Sequence, residues 1–148
     1  MTILYHLLVQ IILSFVGTIA FGLFIQVRKQ ELIWAGLSGC IGWMTYWLLV
    51  QISVGKIPAN FIAALVVGIV GSILARIRRQ PSTVFNIPGL VPLVPGASAY
   101  QALELFFNKK EATALTQIFH VVLLTGAIAL GYVCAQVLSE LLAKYKNK

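Results

Sequence analysis

The sequence predicts an all-α integral membrane protein: a five-span helical bundle whose fourth span is broken by proline and glycine. Three observations lead there. Of 148 residues, 59% are hydrophobic and only 10% charged, with a mean hydropathy of +0.92, whereas soluble domains average roughly 25% charge. The apolar residues fall into five runs, each at least about as long as the roughly 20 residues that cross a bilayer. Short basic clusters separate the runs. So many apolar side chains cannot all be buried in one small core, so the predicted solvent is lipid.

The first run covers residues 3–27 and is closed by Arg28 and Lys29. No Lys or Arg precedes it, so it lacks the basic n-region of a secretory signal and reads as a permanent span. The second run, residues 32–54, is followed by Lys56. The third, residues 57–75, is closed by Arg76, Arg78 and Arg79. The fourth, residues 84–107, is closed by Lys109, Lys110 and Glu111. The fifth, residues 112–142, is followed by Lys144, Lys146 and Lys148. No linker separates them, so residues 1–148 are expected to form a single transmembrane domain.

Positive charge sets orientation, because Lys and Arg are retained on the cytoplasmic side. Five crossings with the N-terminus outside and the C-terminus cytoplasmic put Arg28, Lys29, Arg76, Arg78, Arg79 and the three tail lysines inside. Lys56, Lys109 and Lys110 are left outside. A re-entrant fourth run would move the tail outside and shrink the bias. With five crossings, Tyr5 and Trp47 would lie near the outer interface, and Trp34 and Tyr145 near the inner one.

Small residues recur at spacing four in Ser14/Thr18/Gly22, Ala35/Gly39, Ala64/Gly68/Ser72 and Ala127/Gly131/Ala135. On a helix each set forms a stripe along which another helix can approach closely. Gly36, Gly39 and Gly42 lie inside an apolar span and read as packing, not as a phosphate loop.

The fourth run carries the candidate chemistry. Between Asn86 and Tyr100 it holds Pro88, Gly89, Pro92, Pro95 and Gly96. Each proline removes an amide donor and clashes with the carbonyl four residues back, and it disfavours helical backbone at the residue before it. One continuous helix is therefore not expected. Broken backbone at membrane depth is tolerated where it is buried in protein or lines a wet cavity, and transporters place such breaks at solute sites near the midplane. The second half-helix would begin near residues 95–98, its positive end favouring anionic groups, with Ser98 placed to cap it or to bind a carboxylate. The alternative is a packed, proline-kinked helix with no ligand.

Beyond the break, Ser98, Gln101 and Glu104 share one helix face. Glu104 reads either as a proton carrier or as a side chain reaching the outer interface. The expected transport-pathway residues are thus Asn86, Pro88, Gly89, Pro92, Pro95, Gly96, Ser98, Tyr100, Gln101 and Glu104. His120 reads as a titrating or a packing histidine. His6 is expected to face water or headgroups, and Lys56 and Asn60 to flank a solvated outer loop. Arg76, Arg78 and Arg79 read as topology determinants and lipid contacts.

Other functions find little support. There is no Asp, and only four Glu, with no carboxylate dyad, Cys/His arrangement, His pair at ligand spacing or phosphate loop. No enzyme, cofactor or metal site is expected. The basic residues sit between apolar runs, where anionic lipid meets them, so nucleic acid is not an expected partner. Cys40 and Cys134 lie in apolar runs and read as small hydrophobes.

The stretch Val91-Pro92-Leu93-Val94-Pro95-Gly96-Ala97-Ser98-Ala99-Tyr100 resembles the Pro-x-x-Pro-Gly-x-x-x-Tyr signature of the threonine/serine exporter family. Pro92, Pro95, Gly96 and Tyr100 match it residue by residue. The hydropathy layout resembles the small component of that family's split, two-chain form. The resemblance implies an exporter of small hydroxy amino acids in a bacterial inner membrane, driven by the membrane potential or a proton gradient. It also implies a partner carrying a soluble N-terminal region and the other membrane half. Five is an odd number of spans, so two such halves would be inverted repeats. Small carboxylates remain an alternative solute, and a structural or assembly subunit an alternative role.

Overall fold

The computed structural model describes residues 2–146, with side chains described for residues 5–145. Lys148, counted above in the basic tail, lies outside the described residues, as does the side chain of Lys146. The described residues form six α-helices and no strand: α1 (Thr2–Phe24), α2 (Lys29–Gln51), α3 (Lys56–Arg78), α4 (Thr83–Leu90), α5 (Gly96–Phe107) and α6 (Glu111–Lys146). A single 3-10 turn, Val91–Leu93, follows α4. Helices α1, α2, α3 and α6 are long and apolar enough to cross a membrane. The α4–α5 pair makes a fifth span if it is counted as one bent unit. The expected all-α membrane bundle is what the chain forms.

Four of the helices end in the same way. Gln26, Ser53, Arg79 and Lys109 adopt positive φ just past α1, α2, α3 and α5. The next amide reaches back five residues, as in Val27 to Gly22, Val54 to Leu49, Gln80 to Ala75 and Lys110 to Leu105. This turn satisfies carbonyls that a helix end leaves free. Each reversing residue is polar, so the helices stop where the chain turns to water or headgroups. The ends therefore sit up to three residues from the boundaries expected from hydropathy, except at the last helix. That helix runs through Lys144, because basic side chains at a C-terminus do not stop a helix.

Helices α2 and α3 form the middle of the bundle. Helix α1 packs on α2, α6 packs on α3, and α4 lies against both α2 and α3. Hydrophobic burial does not drive association in lipid, so contact depends on close fit. The small stripes supply it. Gly39 abuts Thr18, Gly68 abuts Ala135, and Gly131 abuts the Phe61 carbonyl. Ala63, Ala64, Val67, Leu93 and Ile128 make the central apolar cluster, and Ala35, Leu74 and Phe85 a second one.

The fourth span is broken, but later than the proline spacing suggests. Pro88 and Gly89 lie inside α4. Pro88 is fully buried, and a Cβ on Gly89 would stand 2.9 Å from Ser38 Oγ and 3.0 Å from Val67 Cγ1. That glycine admits the neighbouring helices. It does not break the chain. The irregular backbone is confined to residues 91–95. The 3-10 turn gives way to extended Val94 (φ −61°, ψ 128°), and Pro95 (φ −78°, ψ 52°) precedes α5. The two parts meet at 47°.

Candidate solute cavity at the break

The break forms one wall of a cavity of about 180 Å³. Residues 92–98 supply that wall. Trp43 and Tyr46 come from α2, Lys56 and Asn60 from α3, and Leu124 from α6. Space of this size holds roughly six waters at about 30 Å³ each, so it suits a small solute.

Proline placement governs the peptide groups here. Pro92 and Pro95 have no amide hydrogen. The Gly96 amide turns back to the Val94 carbonyl at 2.8 Å, and the Ala99 amide bonds the Pro95 carbonyl at 3.0 Å. Between them, Ala97 and Ser98 have first-turn amides with no backbone acceptor among the described residues. Such amides form the positive end of a helix. Ser98 does not cap α5. Pro95 occupies that position, and no side chain bonds there. The backbone carbonyl of Ser98 instead lies 3.5 Å from Gln117 Nε2 on α6.

Two further cavities adjoin the first through shared residues. One of about 230 Å³ is lined by Gln10, Leu13, Ser14, Trp43 and Pro92. The next, of about 480 Å³, is lined by His6, Gln10, Trp47 and Gln51. Trp43 and Pro92 wall the first two, and Gln10 the last two. The Trp43 indole donates to Gln10 Oε1 at 2.7 Å, joining two residues of the intermediate cavity's wall. His6, Gln10, Ser14 and Thr18 recur at spacing four, so α1 presents a polar stripe on this side.

This series lies toward one end of the bundle, not at its middle. Asn60 is four residues into α3, about 6 Å of helix rise. Trp43 is eight residues from the end of α2, about 12 Å. The site is off-centre because α4 absorbs Pro88 and rises alongside α3, with Asn86 against Gly71 and Gly89 against Val67, before the backbone breaks.

Of the ten residues singled out from sequence, Pro92, Pro95, Gly96 and Ser98 line the cavity. Asn86, Pro88 and Gly89 are buried between α4 and its neighbours. Among the described residues, neither Asn86 Nδ2 nor Oδ1 has a hydrogen-bond partner, and Ser38 Oγ has none. Tyr100 is 68% exposed, and Glu104 is exposed on the same helix one turn on. Gln101 Oε1 lies 3.4 Å from Gln117 Nε2 and ties α5 to α6. These three do not reach the cavity.

Sequence reading missed Gln10, Trp43, Tyr46, Lys56 and Asn60. Lys56 and Asn60 were expected to flank a solvated outer loop; Lys56 does, exposed at the first position of α3, but Asn60 lies a turn into the helix and is only 4% exposed. Their spacing of four was the available signal. Arg78 has a contact that was not expected. It pairs with Glu31 and does not simply face lipid.

Comparison with known proteins agrees with this architecture. Residues 10–144 match the family described as "Threonine/Serine exporter, ThrE". A Corynebacterium glutamicum protein described as a threonine/serine exporter is 29% identical over 127 residues, which cover 86% of this chain and 26% of that protein. The chain thus spans about a quarter of that relative's length. No solved structure matches. A bent apolar bundle carrying the proline–glycine break, together with a match running through nearly all of it, establishes that this chain belongs to the threonine/serine exporter family.

Proposed function

We propose that this chain is one membrane half of a secondary exporter of small hydroxy amino acids such as threonine and serine, with the break between α4 and α5 lining the solute path. The observation that carries the reading is the small cavity walled by residues 92–98, with polar groups opposite. The family match and the exporter named in Corynebacterium glutamicum support the solute class. The partial coverage of that relative supports a half that works with a second membrane portion bearing a soluble N-terminal region.

On this reading the chain is a single membrane unit of five crossings in a bacterial cytoplasmic membrane, its N-terminus outside and its C-terminus inside. The distribution of Lys and Arg supports that orientation. Two five-span halves inserted oppositely would give the inverted-repeat arrangement of many transporters. The proteins of this class move solutes, and no catalytic step is assigned.

The test is uptake of labelled threonine and serine into inverted vesicles, with and without the co-expressed partner. Uptake that needs both chains is the expected result. Full-rate uptake by this chain alone would remove the half-transporter reading. Uptake of small carboxylates but not amino acids would replace the solute class.

A further inference from the structure

We infer that Lys56 and Asn60 form the carboxylate-binding wall of the cavity at the break, and that the solute held there is a small amino or hydroxy acid gripped by its carboxylate. The inference rests on the break being the solute path and deepens that reading by naming the residues that recognise the solute.

Charge is the first argument. Lys56, exposed at the start of α3, is the one charged residue lining the cavity. Among the described residues the ion pair present is Glu31 with Arg78, so the Lys56 ammonium has no carboxylate partner. Across the cavity stand Ala97 and Ser98, whose amides form the positive end of the 12-residue helix α5. A lysine and a helix N-terminus thus border one space that has no acidic residue in its lining. Such an arrangement favours an anion.

Asn60 is the second and independent argument. It is nearly fully buried yet lines the cavity. Its Nδ2 donates to the Lys56 carbonyl at 3.0 Å, which fixes the amide and leaves Oδ1 without a donor among the described residues. A solute ammonium or hydroxyl would satisfy it. The site therefore offers a cation for the carboxylate and an acceptor for a neighbouring N–H or O–H. The small volume limits the solute to a few heavy atoms.

The experiment uses the full chain in lipid nanodiscs, with Trp34→Phe and Trp47→Phe leaving Trp43 as the reporter in the cavity wall. The probes are L-threonine, 3-hydroxybutyrate, which lacks the ammonium, and threoninol, which lacks the carboxylate. Threonine and 3-hydroxybutyrate should change Trp43 emission saturably, and threoninol should not. Lys56→Met should weaken threonine binding roughly ten- to a hundredfold, the loss of one hydrogen bond to a charged group. Lys56→Arg should retain most of it.

Equal binding of threoninol and threonine would overturn the inference. So would wild-type affinity in Lys56→Met, the result expected if the ammonium merely meets lipid phosphate. Gly96→Leu, which fills the cavity from the opposite wall, separates the two levels. Binding lost in Gly96→Leu but kept in Lys56→Met removes the anchor and keeps the path. Binding unchanged in both, or absent from the unsubstituted cavity, removes the path as well as the anchor.

Discussion

Glu31 and Arg78 meet in a two-pronged ion pair, with Nε on Oε2 and Nη2 on Oε1, both at 3.0 Å. It joins the first turn of α2 to the last turn of α3. The Glu31 side chain is 5% exposed and that of Arg78 33%, so the carboxylate is the desolvated partner. The guanidinium also lies 5.6 Å from the centre of the Trp34 ring. Removing one member of a buried pair leaves the other uncompensated. Glu31→Gln and Arg78→Met should each lower the melting temperature of the detergent-solubilised chain. Arg78→Lys should recover only part, because an ammonium cannot bridge both oxygens. A Lys variant that melts with the unsubstituted protein would show that charge alone matters there.

The α3–α6 contact depends on a missing methyl group. A Cβ on Gly131 would run into the Phe61 carbonyl, which is backbone and cannot swing away, whereas a Cβ on Gly126 meets open space. Gly131→Ala should destabilise the bundle by about 1–3 kcal/mol, the cost of overpacking. Gly126→Ala should be neutral or stabilise by up to about 1 kcal/mol through helix propensity. Comparable melting curves for the two variants would show that the helices separate freely.

Gly96 gives a graded test of the solute path. Its φ is not positive, and a Cβ there meets nothing within 4 Å. Gly96→Ala should therefore fold normally and keep much of its export. Gly96→Leu projects into the cavity and should cut threonine export by roughly tenfold or more, as misplaced solute implies, without loss of membrane insertion. Pro95→Ala restores an amide and should also depress export by allowing helix to propagate toward Val94. Wild-type export from both Gly96→Leu and Pro95→Ala would count heavily against the break as a pathway.

Asn86 is buried between α4 and α3, against Gly71, with neither amide atom bonded among the described residues. An unpaired buried amide costs about 1–3 kcal/mol. Asn86→Leu, close in shape and apolar, should raise the thermal stability of the chain by about 1 kcal/mol. A fall in stability would mean that the amide is bonded in the membrane after all.

The sequence made the five-run layout legible because apolar length and basic punctuation are one-dimensional signals. The small stripes were equally legible, since spacing four on a helix fixes a face whatever the neighbour is. Pro92, Pro95 and Gly96 marked the break correctly. Pro88 and Gly89 did not: both lie in the last turn of α4, where Gly89 lets the neighbouring helices approach. The opposing wall was hidden. Nothing in the chain order says that Lys56 and Asn60 come within reach of residues 92–98, and a lysine at a helix start looks the same whether it faces water or a cavity. Glu31 and Arg78 were hidden for the same reason, being 47 positions apart.

The Gln10–Trp43 hydrogen bond tests whether the three adjoining cavities act as one route. Trp43 walls the cavity at the break and the intermediate one, while Gln10 walls the intermediate one and the largest. A route through all three would run past the indole. The bond holds that ring at 2.7 Å from α1. Trp43→Phe keeps an aromatic wall but removes the donor. Gln10→Leu removes the acceptor and leaves the indole N–H unpaired. A neutral hydrogen bond contributes about 0.5–1.5 kcal/mol, so loss of either partner should change the threonine export rate by roughly two- to tenfold while leaving the solute selectivity of the break unaltered. The double variant should behave like Trp43→Phe alone, because the interaction is already gone. Export rates that add independently in the double variant would show that the two residues act apart, and the series of cavities would then be three separate grooves.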